Sequence, residues 1–172
     1  MTLYRVELKQ AAAAALANVD GVKNVFIDRS LPMTQDMLPA IIISCPRDNG
    51  VSAGRAQPQF TRVSHLYVHA RLCHTSPENA EAEVEAFAEQ IELAIMLDVG
   101  LQAMVTQVTE IDTEVEINSK TAEHTGEVSM HFGLEYIETY PPPGTPLTEI
   151  TGTMTANGND DFAGMQVPLT QD

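Results

Sequence analysis

The stretch GEVSMHFGLEYIETY, residues 126–140, alternates without interruption: Val128, Met130, Phe132, Leu134 and Tyr136 all fall on one side and Glu135 on the other. A period of two held this long predicts a strand with one face on a core and one face turned outward. Residues 60–72 repeat the pattern, with Leu66, Val68, Ala70 and Leu72 opposed to His65, Tyr67, His69 and Arg71. A third strand is predicted over Val105–Ile117, where Val105, Ile111, Val115 and Ile117 oppose Glu110, Asp112, Glu114 and Glu116. One-faced strands need a cover, and a helix suited to the task lies between them. Thr75-Ser76-Pro77-Glu78 supplies a hydroxyl cap, a proline at the first helical position and an acid over the positive end of the helix dipole. The helix is predicted to reach about Leu97, with Ala80, Val84, Phe87, Ile91 and Ala94 or Ile95 inward and Glu81, Glu85, Glu89 and Glu92 outward. Gly100 is predicted to end it.

Toward the N-terminus, Thr2 is positioned to cap a helix through LYRVELKQAAAAALANV, whose narrow apolar stripe of Leu8, Ala11, Ala12, Ala15 and Leu16 stops at Asp20-Gly21. A short strand follows over Val22–Ile27, then a loop broken by Pro32 and Pro39, then the buried-strand run AIIISC at 40–45. The segment PRDNGVSAGRAQP, residues 46–58, has no periodicity and reads as a long mobile hairpin loop. After Pro141-Pro142-Pro143-Gly144 the composition changes to Gly, Thr, Asn, Pro and Asp with scattered apolar residues, too few to offset the cost of ordering. The expectation is an α+β domain over residues 1–140, in the order α-β-β-β-α-β-β, with a mixed, largely antiparallel sheet and two helices on one face. Residues 141–172 are expected to be an acidic Pro/Gly/Thr-rich extension, flexible until assembled.

Charge is sorted along the chain. Eight of the nine basic residues precede residue 73 beside five acids, and Lys120 alone follows among nineteen acids, so the halves carry +3 and −18 of the formal −15. Such a balance repels phosphate and excludes affinity-driven nucleic-acid binding. It does suit two unlike surfaces on one subunit, the requirement for packing head to tail on a copy of itself. The length of 172 residues suffices for a core without disulfides or metals. Cys45 and Cys73 lie in or at the end of apolar runs and are expected to be reduced and buried. The opening residues hold no apolar leader segment, and no run of eighteen apolar residues occurs, so a soluble protein made in the cytoplasm is expected.

No constellation announces chemistry. His65 and His69, four residues apart on a strand, stand roughly 13 Å from each other, too far to share an ion without other ligands. The acids Glu110, Asp112, Glu114 and Glu116 lack the spacing and glycine turn of a calcium loop and are read as a solvated or partner-facing row. No nucleophile elbow, phosphate loop or zinc-protease motif is present, so no enzyme, cofactor or metal is expected.

The element order, together with LPAIIIS at 38–44, HLYVHARL at 65–72, ENAEAEVEAFAEQIELAI at 78–95 and GEVSMHFGLEYIETY at 126–140, resembles the tail terminator proteins of long-tailed bacteriophages, the lambda-like minor tail protein U family. The likeness covers about residues 3–140 and rests on order and spacing rather than on a signature motif. It implies a virion protein forming a hexameric ring on the head-proximal end of the tail tube, which ends tube polymerisation and receives the head-completion protein. DNA would pass through the acidic lumen without specific binding, and no membrane is involved. Arg47 and Arg55 in the 46–58 segment and the acidic row Glu110, Asp112, Glu114 and Glu116 are the candidate contacts with neighbouring subunits or partners. The alternatives are a tail-tube or head-tail joining protein of related fold and, from another class, a small-ligand or cation-binding protein using the acidic row.

Overall fold

Every period-two segment forms a strand, and the sheet is longer than the sequence suggested. The computed structural model describes residues 3–30, 33–55, 58–74, 80–118, 124–140, 144, 149–152 and 165–168. In chain order these form α1 (Tyr4–Leu16), β1 (Asn24–Ile27), a 3-10 turn (Gln35–Met37), β2 (Ala40–Ser52), β3 (Gln59–His74), α2 (Ala80–Leu97), α3 (Val99–Met104), β4 (Gln107–Asn118) and β5 (His124–Thr139). The sheet order is β1-β2-β3-β5-β4; β1 runs parallel to β2 and every other pair is antiparallel. The fold is α+β, with a mixed, mostly antiparallel five-stranded sheet and helices packed against it.

The core lies where the alternation placed it. Leu66, Val68, Ala70 and Leu72 of β3 and Val128, Met130, Phe132, Leu134 and Tyr136 of β5 are all buried, joined by Ile41 and Ile43 of β2. Leu8, Ala12 and Leu16 of α1 and Val84, Phe87, Ala88, Ile91 and Ile95 of α2 close the same cluster. On β4, Ile111 and Ile117 share the core side but stay more than a third exposed, because among the described residues β4 is paired on one side only.

Several local expectations are corrected. Residues 46–52 are not loop: β2 continues through Ser52, and the ladder with β3 absorbs Pro46 at a bulge between Ser44 and Arg47, where a residue without an N–H is tolerated. Among the described residues of the segment, Ala53, Gly54, Arg55 and Pro58 lie outside the strands. Gly100 does not stop a helix; it lies inside α3, a third helix capped by Asp98, whose side chain accepts from Leu101 N at 2.7 Å. The N-cap of α1 is Leu3, with no side-chain cap bond. Thr2 and the Thr75–Glu78 cap fall outside the described residues. Cys45 is buried, and burial pushes its thiol up, whereas Cys73 near the end of β3 is exposed rather than buried; both are free.

Residues 1–140 and 141–172 form separate units. The second contains a two-stranded antiparallel ladder of β6 (Glu149–Gly152) and β7 (Met165–Pro168), which a reading from side-chain composition missed because strand pairing satisfies backbone groups whatever the side chains. The expected flexibility of this extension concerns mostly residues outside those described.

At the end of the core beyond Leu134, the helix side of the sheet turns polar. Asp48 of β2 receives Arg62 Nη2 at 3.1 Å and the Tyr136 hydroxyl at 3.0 Å, while Arg62 Nη1 reaches Glu138 at 2.6 Å and the Tyr140 hydroxyl at 3.1 Å. The Tyr4 ring lies against Tyr136 at 4.7 Å, and its hydroxyl donates to the Met104 carbonyl at 2.7 Å, which ties the start of α1 to the end of α3. Desolvation works against the Arg62 charge, but the hydrogen bond and charge of Asp48, with Glu138, outweigh it and raise its affinity for its proton. Burial, reinforced by Asp48, raises the Tyr136 phenol.

Candidate functional site

The sheet face opposite the helices carries the titratable side chains that the core excludes, and strand register decides which of them meet. Arg47 pairs with His65, His65 with Gly133, and Gly133 with Glu110, so one line crosses β2, β3, β5 and β4. The adjacent line runs from Tyr67 to His131 to Asp112. His65 and His131 sit diagonally across β3 and β5 with ring centroids 5.1 Å apart and planes within 6° of parallel, meeting edge to edge through their nitrogens, and Tyr67 stacks on His131 at 4.6 Å.

Their nitrogens converge on a carboxylate. His65 Nδ1 lies 2.9 Å from His131 Nε2 and 3.3 Å from Glu110 Oε1, and His131 Nε2 is 3.6 Å from the same oxygen. Behind them, His131 Nδ1 is 3.4 Å from Asp112 Oδ2, and His65 Nε2 is 3.2 Å from Asn49 Nδ2, which donates to it while Asn49 Oδ1 accepts from Arg47 Nε at 3.2 Å. Both imidazoles are mostly covered and Glu110 is nearly half exposed, so the cluster is anchored below and open above.

Glycine makes room for it. A Cβ on Gly133 would come within 2.3 Å of Thr109 Oγ1 and 2.9 Å of Glu110 Cγ, where a bulge between Val108 and Glu110 crowds β4 against β5. Gly133→Ala is therefore expected to cost about 1–3 kcal/mol through forced backbone shifts and to displace Glu110 from the imidazoles. Gly50→Ala, where a Cβ would meet nothing nearer than 3.4 Å, should cost under about 0.5 kcal/mol. Urea denaturation of both variants checks this, and equal losses would mean that the β4 bulge yields freely.

Of the candidate contact residues, Arg47, Glu110 and Asp112 are brought together on this face. Arg55 stands apart between β2 and β3, exposed. Glu114 lies opposite Ser129, whose hydroxyl bonds His69 Nδ1 at 3.0 Å, and Glu116 lies opposite Glu127, which Arg71 neutralises. Sequence reasoning weighed His65 against His69 and set that pair aside as too far apart, without considering the histidine that His65 meets. Its partner, His131, is distant in the chain, and no hairpin joins β3 to β5 to reveal the register. The regular alternation of both strands placed His65 and His131 on the same kind of face, and that was the available signal.

No family model matches the chain, and no curated protein matches it in sequence.

Proposed function

We propose that the chain is a structural ring-former of a phage tail: a terminator that caps the head-proximal end of the tail tube, ends its polymerisation and offers the surface to which the head attaches. In this reading it is not an enzyme, is made in the bacterial cytoplasm, and works in the virion. The observation that carries the proposal is the inequality of the two sheet edges. At one end, β1 is short and flanked by Lys23 and Arg29; at the other, β4 presents Glu110, Asp112, Glu114 and Glu116 with no basic residue between Gln107 and Asn118. Unlike edges on one subunit favour a heterologous contact, which closes into a ring when the rotation per subunit divides the circle. The element order and α+β architecture agree with the tail-terminator resemblance over residues 3–140. Among the described residues no helix is long and apolar enough to cross a membrane.

Light scattering at low salt should then report a closed oligomer of fixed mass, visible as rings by electron microscopy. Raising salt to about 1 M, where the screening length falls to roughly 3 Å, should shift the population toward smaller species. Arg47→Glu with Arg55→Glu should shift it further if the β2–β3 hairpin contributes. A monomer at every concentration would remove the ring, and open-ended filaments would favour the tail-tube alternative.

A further inference from the structure

We infer that His65, His131 and Glu110 form a binding site for one borderline divalent metal ion, of which zinc is the representative. The three donor atoms lie within 4.8 Å of one another, each from a different strand. Ligands at about 2.0–2.1 Å from a tetrahedral ion stand about 3.3–3.4 Å apart. The separations here, 2.9, 3.3 and 3.6 Å, bracket that value and form one face of such a tetrahedron. The 2.9 Å edge is the hydrogen bond through which the coplanar rings meet, so both imidazoles turn off that line to face an ion; the bond does not account for a carboxylate oxygen placed near both nitrogens.

The surroundings fit as well. Asp112 lies beside His131 Nδ1, the arrangement in which a carboxylate receives the far ring proton and leaves the Nε2 lone pair facing the ion. Asn49 is within reach of the far nitrogen of His65, and presenting its oxygen there requires release of the exposed Arg47. Tyr67 fixes the plane of the His131 ring, and Gly133 clears the space that Glu110 occupies. The fourth position faces away from the sheet, open to water or to a donor from another molecule, so the metal would exchange. Two imidazoles among three ligands select zinc, nickel or copper over calcium and magnesium, which prefer all-oxygen shells. The site is complete within one chain and does not depend on ring formation.

Calorimetric titration of the untagged full chain tests it. Zinc is expected to bind at one equivalent, with no heat from calcium or magnesium. His65→Gln and His131→Gln should each abolish measurable binding, Asp112→Asn should weaken it about 10–100-fold as loss of an outer partner does, and His69→Gln should leave it unchanged. Melting temperatures measured with chelator should match those of the unsubstituted protein, separating lost ligands from lost fold. Absence of zinc binding to the unsubstituted chain, or binding that survives His131→Gln, overturns the assignment.

Discussion

Phe132→Ala is expected to lower the free energy of unfolding by about 3–5 kcal/mol, enough to unfold much of a domain whose total stability is about 5–15 kcal/mol. Phe132 is fully buried, and it lies on β5, flanked on both sides by β3 and β4. Removing its ring leaves a cavity that three paired strands cannot collapse to fill. Glu135→Ala, three residues along on the opposite face, removes a hydrogen bond from Gln107 and should cost under about 0.5 kcal/mol. Similar urea midpoints for the two variants would contradict the division of β5 into a core face and an open face.

A loss of comparable size, about 3–5 kcal/mol, is expected for Arg62→Ala, for a different reason. The Asp48 side chain is 4% exposed and its charge is met by Arg62. Asp48 Oδ1 already has no hydrogen-bond partner among the described residues, so removing the guanidinium leaves a buried carboxylate with the Tyr136 hydroxyl as its remaining described partner. The double variant Arg62→Met, Asp48→Asn should recover most of the loss, because a buried pair replaced by neutral groups costs far less than a pair broken on one side. Arg71→Ala provides the contrast: its ion pair with Glu127 is more than a third exposed on both sides and should contribute no more than about 1 kcal/mol. A double variant as unstable as Arg62→Ala would show that the unpaired Asp48 charge is not the cause of the loss.

Legibility in the sequence followed the strength of local pattern. β3, β5 and α2 could be read because burial on one face imposes a period that survives without knowledge of partners. The second half of β2 could not, since Pro46, Asp48, Asn49 and Gly50 each favour turns, and pairing with β3 over Arg47–Ser52 outweighs those preferences. Asp98 was hidden for a related reason: a glycine two residues later resembles a stop, although the aspartate before it is a start. The Asp48–Arg62–Tyr136 network and the His65–His131–Glu110 cluster were invisible for a further reason. Each depends on which residue faces which across strands far apart in the chain, and no single segment encodes that register.

The strand order also sets a timetable. β5 is the last strand of the sheet to be synthesised, yet it belongs between β3 and β4. Until residue 139 has left the ribosome, β3 has a partner on one side only and β4 has none, so the nascent chain carries through translation the two open strand edges that β5 will later pair. Joining them demands contacts distant in sequence, the kind that slows folding and prolongs exposure to aggregation. A message stalled or truncated before the codons for Glu127–Thr139 should therefore yield an insoluble product rather than a smaller folded one.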